Sequence, residues 1–330
     1  MGNRVLITGG AGYIGSHVVK LLGAAGHTPV TLDNLSKGRA DAVLYGDLVV
    51  GDTGDHELVS RILREHAIDT VMHFAAFTIV PESVSNPLKY YANNTANTRN
   101  LLECCVAAGI AQFVFSSTAA VYGMPGDGIC AEDTATNPIN PYGQSKLMSE
   151  LMLRDAGLAH GLRSVVLRYF NVAGSDPDGR IGQSTPDSTL LIKVAAEAAL
   201  GKRDKLFVYG TDYPTKDGTG VRDYIHVSDL AAAHLDALGY LNRGGSAVTL
   251  NCGYGHGYSV REVLASVERA AGKPLPIIEA ERRAGDPPLL IARADRIKQV
   301  LGWQPRYDDL TVIVDSAMAW ERHLAATRPA

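Results

Sequence analysis

The amino-acid sequence predicts an α/β fold in which a doubly wound parallel sheet carries a smaller, discontinuous α/β domain. One basis is the apolar, β-branched run Val5–Thr8, which is typical of a buried parallel strand. Another is the alternation of strand and helix patterns over residues 1–175. From about residue 176 the pattern becomes irregular and rich in turn residues. We therefore expect one domain over residues 1–175 and a second mainly over 176–330, with segments around 222–240 returning to the first.

A glycine-rich turn follows the first predicted strand. Gly9, Gly12 and Gly15 lie at the start of an amphipathic helix predicted over residues 14–25. Glycines permit a tight turn and a close backbone approach, and the N-terminus of the helix can face a pyrophosphate. A second predicted strand ends at Asp33, 18 residues beyond the last glycine and close to the roughly 20 residues expected for the ribose-binding acid. A carboxylate there accepts hydrogen bonds from ribose hydroxyls and repels a 2′-phosphate. This unit predicts a Rossmann-like domain that binds NAD in preference to NADP.

The remaining strands and helices follow from apolar runs and from helical spacing of apolar residues. We predict further strands over residues 29–32, 48–50, 70–74, 113–115 and 165–169, and helices over residues 56–66, 93–108, 142–160, 188–200, 227–241 and 259–271, with a last helix near the C-terminus. Because ligands of open parallel sheets bind outside the carboxyl ends of the strands, we expect the site at that edge.

Tyr142 and Lys146 lie four residues apart, which places both on one face of the helix predicted over residues 142–160. A cation beside a phenol favours the phenolate, so the pKa of such a tyrosine can fall from about 10 towards neutrality. Removal of a proton from a sugar hydroxyl requires a general base of that kind. The pair is a weak signal by itself, because both residues are common on exposed helix faces. Its presence beside a dinucleotide-binding unit favours catalysis.

These features resemble the extended short-chain dehydrogenase/reductase superfamily and, within it, the UDP-galactose 4-epimerases (UDP-glucose 4-epimerases). The further segments that carry the narrower resemblance are Leu32–Leu35, Gly51–Asp52, His73–Ala76, Glu82–Val84, Tyr90–Asn94, Phe115–Thr118, Val121–Gly123, Leu167–Asn171, Asp217–Val227 and Arg282–Asp286. The match runs from about residue 4 to about residue 320, and the segment around Arg222 is more specific than the glycine turn. The resemblance implies an NAD-dependent isomerase that interconverts UDP-glucose and UDP-galactose through a transient 4-keto sugar, without an external redox partner.

The resemblance also implies roles for individual residues. Tyr142 is the expected acid or base at the sugar 4-hydroxyl, Lys146 lowers its pKa and binds the nicotinamide ribose, and Thr118 bridges the phenol and that hydroxyl. The expected NAD contacts are Gly9, Gly12, Tyr13, Ile14, Gly15, Asp33, Asn34, Asp52, Phe74, Ala75, Ala76, Asn93, Tyr142, Lys146 and Tyr169. The expected UDP-sugar contacts are Thr118, Asn171, Thr189, Tyr209, Arg222, Arg283, Asp286 and Leu290. The two arginines are the phosphate candidates, because guanidinium forks suit adjacent negative charges.

Several alternatives stay open at this point. A nucleotide-sugar 4,6-dehydratase shares the fold and the Tyr–Lys pair but needs an added acid–base pair where Ala119 and Ala120 stand. A UDP-glucuronate 4-epimerase or another nucleotide-sugar-modifying short-chain dehydrogenase is not excluded by the loop near Thr189. A non-catalytic NAD-sensing regulator would not need the Tyr–Lys pair. Leu290 stands where some relatives carry the larger Tyr, which leaves UDP-N-acetylhexosamines open as substrates.

Composition and charge exclude several other functions. Lys plus Arg is 31 and Asp plus Glu is 35, and the net charge of −4 gives no general attraction to nucleic acid or anionic membranes. No apolar run approaches the roughly 20 residues of a membrane span, and we see no signal peptide. The four cysteines fit neither a disulfide framework nor a zinc site, which favours reduced thiols in a cytoplasm and no metal. By resemblance alone we expect a homodimer formed through the helices predicted over residues 93–108 and 142–160.

Overall fold

The structure, a computed structural model, describes residues 2–185, 188–283 and 285–327. Its strands are β1 (Arg4–Thr8), β2 (Thr28–Asp33), β3 (Asp47–Val50), β4 (Thr70–His73), β5 (Gln112–Thr118), β6 (Ile129–Cys130), β7 (Arg163–Tyr169), β8 (Asn171–Ala173), β9 (Leu206–Tyr209), β10 (Val221–Arg222), β11 (Tyr224–His226), β12 (Val248–Cys252), β13 (Tyr258–Ser259), β14 (Ile277–Ala280) and β15 (Leu289–Ala292). Its α-helices are α1 (Tyr13–Ala24), α2 (His56–Glu65), α3 (Val80–Ser85), α4 (Pro87–Tyr90), α5 (Asn97–Ala107), α6 (Pro141–His160), α7 (Leu191–Ala199), α8 (Val227–Asn242), α9 (Val260–Ala271), α10 (Asp295–Leu301) and α11 (Leu310–Thr327). A π-helical turn spans Tyr91–Ala96, and 3₁₀ turns span Ala40–Ala42 and Ala119–Tyr122.

Seven parallel strands form the central sheet in the order β3-β2-β1-β4-β5-β7-β12. Successive residues of β1 face opposite sides: Val5 and Ile7 lie in one hydrophobic core and Leu6 in the other. Helices α1 and α8 contribute to the first core, and α2, α5 and α6 contribute to the second. The strand order reverses between β1 and β4, so the predicted doubly wound sheet is confirmed. Open parallel sheets bind their ligands at such a reversal, beyond the carboxyl ends of the strands.

The predicted strands and helices occur in the structure with small shifts at their ends, and two differences stand out. The helix predicted over residues 93–108 begins as the π-helical turn and becomes α-helical only at Asn97. The helix predicted from residue 188 begins at Leu191, and residues 186 and 187 lie outside the described residues.

Strand β12 was not predicted, yet it forms an edge of the central sheet by pairing with β7 from Val248 with Val165 to Cys252 with Tyr169. The segment is short and carries polar Thr249 and Asn251, so its own pattern is weak. Its pairing with β7, a strand far away in the chain, therefore decides that this segment forms a strand.

Three smaller sheets accompany the large one. One joins β13, β10, β15 and β6, another joins β8 and β11, and the third joins β9 and β14. Strand β8 follows β7 almost directly and pairs in parallel with β11. Since α8 packs beside α1 and β12 beside β7, the chain returns to the central sheet after residue 176. The division into two domains remains a prediction.

No helix within the described parts of the chain is both long and apolar enough to cross a membrane. Those same residues contain no group of three or more His, Cys, Asp or Glu side chains that could hold a metal ion. All four cysteines are free and buried.

Candidate active site

The glycine turn between β1 and α1 forms a cradle in which side chains do not fit. Gly9 has φ +73°, and a Cβ on it would lie 2.6 Å from the Ala75 backbone nitrogen. A Cβ on Gly15 would lie 2.2 Å from the Gly9 carbonyl oxygen, and Gly12 is the N-cap of α1. No side chain caps this helix and its first turn has no acidic residue, so its N-terminal dipole is available to an anion. The cradle therefore fits the pyrophosphate of a dinucleotide.

Tyr13 and Ile14 open α1 at this cradle and are both half-buried. The Tyr13 hydroxyl donates a hydrogen bond to the Gly174 carbonyl (2.6 Å), just beyond β8. Burial raises the pKa of Tyr13, so the phenol stays neutral. Its hydroxyl thus joins the start of α1 to the residue that follows β8.

Asp33 ends β2 beside the cradle. Its carboxylate accepts hydrogen bonds from the backbone N–H groups of Ala11 (3.0 Å) and Leu35 (2.8 Å), which fix its position. Burial raises the pKa of Asp33, and these two bonds oppose the shift. The Asn34 amide donates to the Asp52 carboxylate (2.8 Å). Three predicted NAD contacts are therefore gathered at the carboxyl ends of β2 and β3.

The segment after β4 closes the cradle on its other side. The N–H groups of Phe74 and Ala75 both donate to the Thr8 carbonyl, at 2.9 and 3.1 Å. Ala76 follows them, and Asn93 is half-buried in the π-helical turn. These four predicted NAD contacts thus lie on two neighbouring segments that follow β4.

Asn94 is a buried residue to which the sequence analysis assigned no role. Its amide oxygen accepts a bond from the Phe77 N–H (2.8 Å), and its amide nitrogen donates to the Phe77 carbonyl (3.0 Å) and the Ser145 hydroxyl (3.1 Å). Asn94 therefore joins the segment after β4 to α6 at Ser145, which lies between Tyr142 and Lys146 in the sequence. Two adjacent asparagines at the start of a predicted helix were the available signal, because Asn side chains readily form hydrogen bonds with nearby backbone groups. The π-helical turn that carries Asn94 is a feature frequent at functional sites.

Tyr142 lies at the start of α6, where the sequence sets the helix end. Pro141 takes the first helical position, and Asn140 caps the helix through the Gly143 N–H (2.9 Å). The Tyr142 side chain is buried and interacts with the side chain of Thr118 at the end of β5. Burial raises the pKa of Tyr142, and the Thr118 hydroxyl opposes that shift.

Lys146 is buried one turn further along the same helix. Its ammonium donates to the Ser116 carbonyl (2.8 Å) and lies 4.8 Å from the centre of the Phe115 ring. Burial lowers the pKa of Lys146 to about 7, and Glu150 opposes this shift. That the amine lowers the pKa of Tyr142 stays a prediction. The amine is directed at a backbone carbonyl, and burial leaves the pKa of the phenol raised.

Tyr169 and Asn171 lie on either side of the junction between β7 and β8. The Tyr169 hydroxyl is 2.9 Å from the Ser116 hydroxyl, which places it beside the strand that leads to Thr118. The Asn171 N–H donates to the Asp223 carbonyl (2.9 Å), which directly follows β10. The junction thus connects the predicted NAD contact Tyr169 with the segment that carries the predicted substrate residue Arg222.

The predicted UDP-sugar residues on and between the strands of the smaller sheets form two groups. Leu290 of β15 pairs in parallel register with Arg222 of β10, and the Arg222 guanidinium forms an ion pair with the Asp286 carboxylate. The Arg283 guanidinium lies 3.8 Å from the centre of the Tyr209 ring. Two cations and an aromatic ring therefore lie among the predicted nucleotide contacts.

Thr189 lies apart from these groups. It is exposed just before α7, and none of the contacts made by the described residues joins it to the other predicted substrate residues. Its role stays a prediction.

Known proteins with the same arrangement place the site in a family. The chain matches the model of the NAD dependent epimerase/dehydratase family over residues 5–253. The chain belongs to this family. It is 60% identical over 322 residues to the UDP-glucose 4-epimerase of Azospirillum brasilense, covering 97% of this chain and 92% of that protein. It is 49% identical over 318 residues to the UDP-glucose 4-epimerase of Rhizobium meliloti, covering 96% and 97%.

Two solved structures share the fold over almost the whole chain. The UDP-glucose 4-epimerase from Brucella ovis in complex with NAD has a TM-score of 0.94 at 46% identity, covering 96% of this chain and 97% of that one. The UDP-Glc/GlcNAc 4-epimerase from Campylobacter jejuni has a TM-score of 0.86 at 49% identity, covering 98% and 100%. The predicted family, the predicted fold and NAD as the cofactor are confirmed.

Proposed function

We propose that this chain is an NAD-dependent 4-epimerase of UDP-hexoses that interconverts UDP-glucose and UDP-galactose through a transient 4-keto sugar. The observation that carries the proposal is the contact between Tyr142 and Thr118, with the Lys146 amine one helical turn away, at the sheet edge that bears the glycine turn. Relatives that are UDP-glucose 4-epimerases, 60% and 49% identical over almost the whole chain, support the same activity here.

NAD is held by the first domain, residues 1–175, to which we add α8 and β12. The glycine turn takes the pyrophosphate and Asp33 takes the ribose hydroxyls. When bound, NAD supplies the hydride acceptor and donor for C4 of the sugar, and a positive charge that favours the phenolate of Tyr142. Lys146, whose pKa is about 7, is partly an ammonium ion at neutral pH and adds positive charge on the same helix face.

The proton steps belong to the chain's own residues. Tyr142 accepts the proton of the 4-hydroxyl and returns it, and Thr118 bridges the phenol and that hydroxyl. Both side chains are buried, so bulk water does not compete for the proton.

The nucleotide is held by the second domain, mainly residues 176–330. Arg222 and Arg283 bind the diphosphate, Tyr209 lies near the uracil, Asp286 takes the uridine ribose and Asn171 binds beside the diphosphate. An anchored nucleotide leaves the 4-keto hexose free to turn and to present its other face, so that hydride and proton return with inverted stereochemistry.

The choice of sugar is tested by assaying the purified protein with UDP-galactose, UDP-N-acetylgalactosamine and UDP-glucuronate side by side. We expect UDP-galactose to react fastest. UDP-N-acetylhexosamines are the second class to test, because Leu290 is shorter than Tyr and the Campylobacter jejuni relative is a UDP-Glc/GlcNAc 4-epimerase. Turnover of UDP-glucuronate alone would contradict the proposal. Retained NAD without any turnover would favour a sensing role.

We further propose a cytoplasmic homodimer that uses α5 and α6. Leu151 and Leu158 of α6 are 41% and 83% exposed, and apolar side chains on one helix favour a covered interface. The free, buried thiols suit a reducing compartment. Sedimentation should give twice the chain mass, and Leu158→Lys should shift it towards one chain. A wild-type monomer would contradict this part.

A further inference from the structure

Glu150 lies one helical turn beyond Lys146 on α6. Tyr142, Lys146 and Glu150 therefore share one helix face at four-residue intervals, and Glu150 is only 8% exposed. A buried carboxylate costs free energy unless it is paired and hydrogen-bonded, so its partners are informative.

The Glu150 carboxylate joins α6 to β5 and to β7. One of its oxygens accepts a hydrogen bond from the Ser117 hydroxyl. The Arg168 guanidinium donates through Nη2 to Oε2 (2.6 Å) and through Nε to Oε1 and Oε2 (3.0 and 3.2 Å), a forked ion pair that is buried on both sides. Three separate elements thus meet at one side chain.

Each partner of Glu150 is next in sequence to a residue of the proposed site. Ser117 lies between Ser116, whose carbonyl accepts the bond from the catalytic amine, and Thr118. Arg168 directly precedes Tyr169, whose hydroxyl lies 2.9 Å from the Ser116 hydroxyl. The carboxylate therefore holds the backbone on which these groups stand.

The connection continues away from the site through Tyr122. Arg168 donates to the Tyr122 hydroxyl (3.1 Å), which donates to the Asn251 side chain on β12 (2.6 Å), and Asn251 donates to the Cys130 carbonyl on β6 (2.8 Å). The ion pair thus has a hydrogen-bonded support and does not stand alone.

We propose that Glu150 is a positioning residue: one buried carboxylate that fixes the strand ends bearing Thr118 and Tyr169 against the helix face bearing Tyr142 and Lys146. The inference rests on the proposed function, because these four residues must carry out the reaction. It separates Glu150 from an ordinary structural ion pair, whose removal would lower stability and leave the chemistry of the surviving protein unchanged.

Glu150 also acts on the charge of Lys146. The carboxylate opposes the lowering of the Lys146 pKa by burial. The titratable or charged groups on the surrounding elements are Tyr142 on α6, Arg168 and Tyr169 on β7, Tyr122 after β5, His73 on β4 and Cys130 on β6. His73 has a pKa of about 3, the pKa values of the tyrosines and the cysteine are raised, and Arg168 stays charged. Among these groups Lys146 is the one that titrates near neutrality.

The first test is Glu150→Gln, which keeps the side-chain length and removes the charge. We expect kcat with UDP-galactose to fall roughly 10- to 100-fold while KM changes by less than about threefold, because misplaced catalytic groups lose transition-state contacts. The alkaline limb of the kcat–pH profile should move to lower pH by about one unit, because Lys146 loses its proton more readily without the carboxylate. The NAD content of the purified protein should stay at the wild-type level.

The matched control is Glu321→Gln. Glu321 on α11 is also buried and forms ion pairs with Lys193 and Lys202, away from α6. We expect Glu321→Gln to have a lower unfolding temperature with wild-type kcat and pH profile.

If Glu150→Gln does not fold, the variant Ser117→Ala tests the inference in its place. It removes one bond to Glu150 and keeps the ion pair, and we expect a smaller fall in kcat at unchanged KM and NAD content.

Three outcomes overturn the inference. They are wild-type kcat and pH profile in Glu150→Gln, an equal loss of kcat in Glu321→Gln, and, where Glu150→Gln does not fold, unchanged kcat in Ser117→Ala. A wild-type protein that turns over no UDP-sugar would overturn the proposed function, and this inference with it. If the wild-type protein is active, any of the three outcomes overturns the role of Glu150 and leaves the proposed function standing.

Discussion

Burial acts in opposite directions on the two ionisable side chains of the proposed site. It raises the pKa of the Tyr142 phenol and lowers that of the Lys146 amine to about 7, so both shifts favour the neutral form. Four-residue spacing was enough to predict that the two side chains share a helix face. The spacing could not predict that the amine donates to the Ser116 carbonyl, because that acceptor lies on β5, 30 residues away in the chain.

Tyr142→Phe removes the proton acceptor and keeps the ring. We expect epimerisation of UDP-galactose to fall by about three orders of magnitude, which is within the range for loss of a general acid–base group. NAD content should be unchanged, as measured by absorbance of the extracted nucleotide. Tyr240→Phe on α8 is the matched control, and near-normal turnover in Tyr142→Phe would refute its assignment.

Asp33→Asn removes a charge that two backbone N–H groups hold in place. The carboxylate repels a 2′-phosphate, so we expect the ratio of NADP to NAD affinity to rise roughly tenfold or more, about 1.4 kcal/mol. Titration of cofactor-depleted protein with each nucleotide measures this ratio. Asp55→Asn, which changes the N-cap of α2, should leave the ratio unchanged.

At the scale of single elements, local chemistry sets several helix ends. Asn140 and Pro141 start α6 so that Tyr142 falls in its first turn, and Ser259 with Glu262 forms a capping box on α9. These signals act within a few residues and are readable in sequence. The π-helical turn Tyr91–Ala96 was missed because its shape follows contacts with other segments, such as the Asn94 bonds to Phe77.

Ser259→Ala removes the capping oxygen of α9 and also the bond from Ser259 to Asp217. We expect the free energy of unfolding to fall by about 1–2 kcal/mol. Urea unfolding followed by circular dichroism measures the change. Ser246→Ala is the control, since Ser246 is exposed and no contact within the described residues involves its hydroxyl. Equal stability of the two variants would contradict this role.

At the scale of the whole molecule, four buried histidines make folding sensitive to acid. Burial lowers the pKa of His73 to about 3 and the pKa values of His17, His226 and His234 to about 4, from an ordinary value near 6.5. Between those values the unfolded chain binds more protons than the folded one. The stability that these groups contribute is therefore fully present above about pH 6.5 and is lost as the pH falls towards 4.

We expect the free energy of unfolding to drop between about pH 7 and about pH 5, by up to about 2 kcal/mol for each of these histidines. His234→Phe should reduce this drop, because its Nε2 atom has no hydrogen-bond partner within the described residues and its ring already packs against Phe74. Urea unfolding at the two pH values measures the drop. Replacement of the exposed His56 by Gln should leave it unchanged, and no difference between the two variants would contradict the explanation.

The sequence by itself determined the doubly wound sheet, the glycine cradle, Asp33 and the helix face shared by Tyr142 and Lys146. Each of these follows from periodicity, turn chemistry or spacing within a short stretch of chain. Only the tertiary structure decided that β12 pairs with β7 and that Asn94 joins the segment after β4 to α6. It also decided that the Glu150 carboxylate joins α6 to two strands. These features depend on contacts between residues far apart in the chain, where burial sets the cost of every unpaired polar group.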